Sequence, residues 1–166
     1  MSWVAILMGS ESDWPIMRAT TEILERLGVD FEAKITSAHR TPQATMEYVL
    51  DAQRRGCDVF VCAAGLAAHL AGAVVAHTVK PVIGVPVDSG PLSGFDALLS
   101  TVQMPGGIPV ATVAVGKTGA KNAAYLAAQI LAVSDEGVAE KLRADREENG
   151  ANVNAQNERL QKELSS

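Results

Sequence analysis

Five short apolar runs alternate with stretches of helical periodicity along the first 133 residues, and this alternation strongly limits the possible folds. The runs are Trp3–Met8, Val29–Ile35, Asp58–Cys62, Pro81–Val87 and Val110–Val115. Continuous apolar runs, as opposed to alternating ones, are typical of parallel strands that are covered on both faces. The sequence therefore predicts an α/β protein: a three-layer α/β/α sandwich around a flavodoxin-like parallel five-stranded sheet of order 2-1-3-4-5.

The predicted strand order brings three polar turns to one crevice. Doubly wound sheets bind their ligands outside the carboxyl ends of the strands, at the point where the strand order reverses. Strands one and three are neighbours in the predicted order, so the turns after the first three strands meet there. These turns are Ser10–Asp13, Ser37–Arg40 and Gly65–His69.

The turn Thr36–Pro42 concentrates several chemically useful groups. His39 can give and take a proton near neutral pH, and Arg40 carries the planar fork that suits a phosphate or a carboxylate. Thr41 is a favoured helix N-cap, Pro42 suits the first helical position, and the amides beyond them attract an anion. We expect a phosphorylated small molecule here. The alternatives are that His39 only bonds a carbonyl and that Arg40 is a solvated surface charge.

Ser10, Asp13 and His69 are further candidate site residues. Ser10 and Asp13 can cap the first helix, which is compatible with ligand binding. A carboxylate facing a phosphate would repel it, so Asp13 is better interpreted as an acceptor for sugar hydroxyls, and this favours a phosphosugar. His69 lies at a predicted helix start among small residues, where it either lines the crevice or is a partly buried imidazole with protein partners.

Composition argues against several classes of function. The length of 166 residues suits one domain. The 19 acidic and 14 basic residues give a net charge of -5, and there is no Lys/Arg run, so neither nucleic acid nor a membrane surface is an expected partner. No apolar run approaches the roughly 18 residues of a membrane span. Cys57 and Cys62 lack the spacing of a redox or zinc pair and are interpreted as reduced core residues, which favours a cytoplasmic location. Three scattered histidines predict no metal site.

The last part of the chain differs in character. Residues 134–166 contain 8 acidic and 5 basic residues, with the apolar pairs Val138/Leu142 and Leu160/Leu164 at helical spacing. We therefore divide the chain into a catalytic α/β domain, 1–133, and a C-terminal helical appendage, 134–166. Asn149-Gly150 is expected to split the appendage into two helices, which pack either on a neighbouring subunit or on their own chain.

Five motifs, taken in order, resemble one known family, PurE, the N5-carboxyaminoimidazole ribonucleotide mutases of purine biosynthesis. The resemblance covers about residues 4 to 133. It implies conversion of N5-carboxyaminoimidazole ribonucleotide to 4-carboxy-5-aminoimidazole ribonucleotide without ATP, metal or organic cofactor. The motifs are Met8–Asp13 (MGSESD), Ser37–Pro42 (SAHRTP), Ala67–Leu70 (AAHL), Pro81–Val87 (PVIGVPV) and Val102–Pro109 (VQMPGGIP).

The resemblance also implies a role for each candidate residue. His39 would be the proton shuttle, His69 a second catalytic residue, and Asp13 the partner of the ribose hydroxyls. The phosphate would be held by Ser10, Ser37 and Arg40, and the carboxylate or carbon dioxide by the stretch from Gly65 to Leu70, including Ala67.

Two residues depart from the common family pattern Gly-Gly-Ala-Ala-His-Leu-Pro-Gly. Leu66 replaces the second glycine, which places bulk near the expected carbon dioxide pocket, and Ala71 replaces the proline. The family is usually octameric, so the segment Gln103–Pro109 and the appendage are expected subunit contacts. Two alternatives remain at this point: a carboxylase that uses aminoimidazole ribonucleotide and free carbon dioxide, and a non-catalytic nucleotide-binding module.

Overall fold

The computed structural model describes residues 2–165 and contains the predicted five-stranded sheet. Its order is β2-β1-β3-β4-β5, and every neighbouring pair is parallel. The order reverses between β1 and β3, so the crevice expected at that point exists in the topology. The strands are β1 Trp3–Met8, β2 Asp30–Ile35, β3 Cys57–Gly65, β4 Val82–Val87 and β5 Ala111–Thr112.

Helices cover both faces of the sheet, which confirms the three-layer sandwich. The first and fifth helices pack with one face of the sheet, and the second, third and fourth helices pack on the other. A short 3₁₀ turn, Glu11–Asp13, precedes the first helix. The helices are α1 Trp14–Leu27, α2 Pro42–Arg54, α3 Leu70–Val75, α4 Phe95–Val102, α5 Gly116–Ala132 and α6 Glu136–Leu164.

The central strands are buried, whereas the two edge strands differ from the expectation. Every residue of β1 and β4 is buried. The β2 strand, predicted as an apolar run, is mostly exposed, because it forms one edge of the sheet and carries Glu32 and Lys34. The β5 strand forms the other edge and has only two residues, so the expected strand Val110–Val115 was too long. Short and charged edges limit pairing with other chains.

The expected break in the appendage is wrong. The helix α6 runs without interruption through Asn149 and Gly150 for 29 residues, which is about 43 Å. A glycine inside a helix costs only about 1 kcal/mol relative to alanine, which a helix of this length can absorb. The Asn149 side chain also donates a hydrogen bond of 3.0 Å to Asp145, one turn earlier.

The first half of α6 packs on its own chain. Val138 joins the core beneath α5, and Asp145 is buried where it accepts a hydrogen bond of 2.8 Å from Tyr125 and pairs with Arg26 of α1 at 2.7 Å. Beyond Asp145 almost every described residue of α6 is exposed. Although α6 is long, it is too polar to cross a membrane, and no helix within residues 2–165 has the length and apolar character to do so.

Candidate active site

The crevice at the carboxyl edge has a volume of about 510 Å³ and gathers all nine residues that the sequence singled out. The turns after β1, β2 and β3 supply them, as the strand order predicted, and the loop after β4 closes a fourth side. The nine residues are Ser10, Asp13, Ser37, His39, Arg40, Gly65, Ala67, His69 and Leu70.

His39 and His69 touch, although they are 30 residues apart in the sequence. His39 Nε2 lies 2.5 Å from His69 Nδ1, and the two rings are nearly perpendicular, with centroids 4.7 Å apart. One of these nitrogens must donate and the other accept, so the tautomer of one ring fixes that of the other. The histidines that looked scattered in the sequence therefore form a hydrogen-bonded pair at the crevice.

Arg40 is held by the turn before α2. Its backbone amide and its Nε both approach Ser37 Oγ, at 3.2 Å and 3.4 Å, and its Nη2 donates to the carbonyl of Gly9 at 2.9 Å. The guanidinium thus joins the turn after β2 to the turn after β1. Because these contacts occupy only some of its five N–H donors, the guanidinium can also bind an anion.

Thr41 holds the same turn in a way that the sequence did not predict. It occupies the N-cap position of α2 and Pro42 follows at the helix start, as expected, but the Thr41 side chain makes no cap hydrogen bond. Its hydroxyl instead accepts from the Ser37 amide at 2.9 Å and donates to the Ser37 carbonyl at 3.2 Å. The threonine therefore closes the loop on itself, and the first amides of α2 are left for other partners.

Ser10 and Asp13 form a capping box around the 3₁₀ turn. Ser10 Oγ accepts from the amide of Ser12 at 3.3 Å, and Asp13 Oδ2 accepts from the amide of Ser10 at 3.1 Å. Asp13 is only 5% exposed. Burial raises the pKa of its carboxyl group above the ordinary value, and hydrogen bonds from the Ser10 and Gly9 backbone offset part of that effect. Asp13 is a desolvated acceptor at the crevice wall.

The turn between β3 and α3 forms the small-residue wall. His69 is the residue before α3, and Leu70, its first residue, is buried in the core. Leu66 adopts a left-handed φ of 55°, which is unusual for a residue with a side chain. Ala71, where the family pattern has proline, lies in the first turn of α3, a position that accepts proline because its amide needs no partner within the helix.

Ser89 lines the crevice and was missed by the sequence reasoning. It follows β4, which pairs with β3. The predicted crevice included only the turns after β1, β2 and β3. The predicted order did hold the necessary signal, because β4 lies beside β3 and its loop must reach the same edge.

The described part of the chain does not offer a metal site of the usual kind. Within residues 2–165, no three His, Cys, Asp or Glu side chains are grouped so that they could hold a metal ion. The crevice presents imidazole, guanidinium, hydroxyl and one carboxylate, which suit proton transfer and the binding of a phosphorylated sugar.

A family model described as AIR carboxylase matches residues 3–152. The chain belongs to this family. It is 55% identical over 144 residues to the N5-carboxyaminoimidazole ribonucleotide mutase of Bacillus subtilis, covering 87% of this chain and 89% of that protein. It is 52% identical over 143 residues to the mutase of the same name from Saccharolobus solfataricus, covering 86% and 89%.

A solved structure of the family has the same architecture. The crystal structure of Treponema denticola PurE superimposes with a TM-score of 0.87 at 28% identity, covering 96% of this chain and 99% of that one. The match extends over nearly the full length of both chains, so it includes much of the α6 appendage as well as the sheet. The fold inferred from the five apolar runs is therefore the fold of the family.

Proposed function

We propose that this chain isomerises N5-carboxyaminoimidazole ribonucleotide to 4-carboxy-5-aminoimidazole ribonucleotide, a step of purine biosynthesis. The similarity to mutases of that name, at 52 to 55% identity over most of the chain, carries the proposal. The crevice supports it, because an anion-binding turn, a buried carboxylate and a histidine pair lie together around about 510 Å³.

The substrate would lie with its phosphate at the turns after β1 and β2. Arg40 and Ser37 are already connected there, and Ser10 faces the same space. Asp13 would accept hydrogen bonds from the ribose hydroxyls. Such bonds would compensate the buried carboxylate for the water it has lost. The imidazole and its carboxyl group would then reach the wall made by Gly65, Ala67 and Leu70.

The reaction would proceed by decarboxylation and recarboxylation. The bond between the exocyclic nitrogen and the carboxyl carbon breaks, the electron pair stays on nitrogen, and the nitrogen takes a proton from His39. The products at this stage are carbon dioxide and aminoimidazole ribonucleotide, both enclosed. The ring carbon then attacks the carbon dioxide and loses its proton to His39, so the net change is an isomerisation that consumes no other reactant.

His69 would set the proton-bearing state of His39. Their two nitrogens are in contact, so a proton on His39 Nε2 favours an unprotonated His69 Nδ1 as its acceptor, and the reverse also holds. Since His39 must first donate and then accept, a neighbour that can take either hydrogen-bonding role suits both steps. We therefore retain His39 and His69 as the catalytic pair.

The test compares two substrates without ATP. One reaction starts from N5-carboxyaminoimidazole ribonucleotide, and the other from aminoimidazole ribonucleotide with dilute bicarbonate. We expect fast formation of the carbon-carboxylated product only from the first. Faster turnover in the second, dependent on free carbon dioxide, would assign the chain to the carboxylase class, and no turnover in either would favour the nucleotide-binding module.

We further propose a cytoplasmic homo-octamer, the assembly usual in the family. The α4 region supports an oligomer, because large apolar side chains are exposed there on a single chain. The exposed half of α6 could add contacts. Sizing by light scattering should give a mass near eight chains, and a monomer at working concentration would contradict the assembly. The exposed apolar residues are Leu92, Phe95, Leu99, Val102 and Ile108.

A further inference from the structure

We propose that the Ser89 hydroxyl is a substrate-binding group, at the end of the crevice where the substrate's carboxyl group would lie. It would donate a hydrogen bond to the migrating carboxyl group and then to the carbon dioxide formed from it. Ser89 lies in the loop after β4 and lines the crevice beside the turn that follows β3. The inference rests on the proposed isomerase function, because it assigns the hydroxyl to the group that migrates.

The position of Ser89 follows from its packing against Gly65. Gly65 pairs with Val87 across β3 and β4, and Ser89 is two residues further along. A Cβ atom at Gly65 would lie 1.9 Å from Ser89 Oγ and 3.2 Å from Ser89 Cβ. The hydroxyl therefore occupies the space that the glycine leaves free, next to the stretch that would hold the carboxylate.

The hydroxyl of Ser89 has no protein partner. Across the described residues its Oγ makes no hydrogen bond, although its backbone amide donates to the carbonyl of Val87 at 2.9 Å. Of the other crevice serines, Ser12 donates its hydroxyl proton to Ser10 Oγ and Ser37 Oγ accepts from Arg40, and all three lie in the turns after β1 and β2. A half-buried hydroxyl with a free proton is the group in this wall best able to bind a carboxylate oxygen.

The loop that carries Ser89 is fixed against the neighbouring turn. The Leu66 side chain lies over Gly90, since a Cβ atom at Gly90 would be 2.5 Å from Leu66 Cδ2. On the other side of Ser89, Asp88 packs between Gly94 and Gly116 at the start of α5. The hydroxyl is therefore held at a defined distance from Gly65, as a positioning role requires.

The bond would matter most while carbon dioxide is free in the crevice. When the nitrogen–carbon bond breaks, the electron pair stays on nitrogen, and the carbon dioxide has no covalent attachment until the ring carbon attacks it. A donor on one of its oxygens would keep it near the ring and would stabilise the negative charge that returns to that oxygen as the new bond forms. Loss of the donor should slow the reaction and let carbon dioxide escape.

The experiment uses Ser89→Ala, Gly65→Ala and the double variant in the full-length chain. The measurements are kcat from N5-carboxyaminoimidazole ribonucleotide and the fraction of substrate that ends as aminoimidazole ribonucleotide. We expect each single variant to lower kcat by about 10- to 100-fold and to raise that fraction, since a hydrogen bond to a charged group is of this size. The added methyl at Gly65 would displace the hydroxyl, so the double variant should be no slower than the slower single variant.

Ser100→Ala is the matched control, because Ser100 is exposed on α4 and its hydroxyl bonds only the Asp96 carbonyl. It should match the parent in both measurements. If Ser89→Ala kept both kcat and the product ratio of the parent, the role of Ser89 would be refuted while the isomerase function stood. An inactive parent chain would refute the isomerase function itself, and the two failures are therefore distinguishable.

Discussion

Replacement of His39 by asparagine tests the proposed proton transfer directly. Asparagine retains a polar planar group that can hydrogen-bond His69, but it cannot carry a proton between substrate atoms. A positioned acid–base group contributes about 10²- to 10⁴-fold in rate, which corresponds to about 3 to 5 kcal/mol of transition-state stabilisation. We expect His39→Asn to lower kcat by this factor.

The structure separates this effect from binding and stability. The His39 side chain is exposed and its one described hydrogen bond goes to His69, so the free energy of unfolding should change by less than about 0.5 kcal/mol. The phosphate would be held by Arg40 and Ser37, whose contacts do not include the His39 ring. The Kd for aminoimidazole ribonucleotide, measured by calorimetry, should therefore stay within about threefold of the parent.

His77→Asn is the matched control, since His77 is also exposed but lies after α3, outside the residues that line the crevice. Single-turnover rates for the parent and both variants should show a loss only in His39→Asn. If His39→Asn turned over within threefold of the parent, His39 could not be the proton shuttle. A loss of binding equal to the loss of rate would instead assign it a binding role.

Three further changes test the site and the core. Because burial raises the pKa of Asp13, the parent should lose stability as the pH rises from about 3.8 through that raised pKa. Asp13→Asn should therefore have a higher melting temperature than the parent at neutral pH, but not at acidic pH. The same variant should bind the ribonucleotide more weakly. Gly84→Ala should destabilise the chain by about 1 to 3 kcal/mol, because the added Cβ would lie 2.4 Å from Thr101 Cγ2. Adding Thr101→Ser, which removes that methyl group, should restore part of the lost free energy of unfolding, as measured by denaturant melts. Cys57 and Cys62 are buried free thiols, and burial raises the pKa of Cys57 to about 11 and the pKa of Cys62 further. A thiol reagent should therefore modify them only when the chain unfolds. Rapid modification of the native chain would contradict this prediction.

The sequence was most informative where burial and topology dictate the structure. The apolar runs of β1 and β4 could hardly lie anywhere but at the centre of a sheet, and the strand order then required the polar turns to share one edge. The edge strands were harder to predict, because an edge needs little apolar character. In β2 the charges of Glu32 and Lys34 are compatible with a strand because both residues are exposed at the edge of the sheet.

Side-chain contacts within the site were beyond sequence reasoning. The spacing of His39 and His69 could not show that their nitrogens meet, because the contact depends on how two turns from different strands approach each other. Thr41 had the right residue type for a cap, yet its hydroxyl bonds Ser37. Local propensity identified the turn but did not choose between the two local hydrogen bonds open to the Thr41 hydroxyl.

Leu66 shows how the chain accommodates its departure from the family pattern. A left-handed φ costs a residue with a side chain about 1 to 2 kcal/mol, which explains why glycine is common at this position. Leu66 remains about half exposed, at 52%, but its Cδ2 methyl group lies against Gly90. Burial of apolar surface returns about 25 cal/mol per Å². The contact with Gly90 thus offsets part of the conformational cost. The substitution is tolerated because the loop after β4 presents glycine opposite it, and the same contact holds Ser89 beside the crevice.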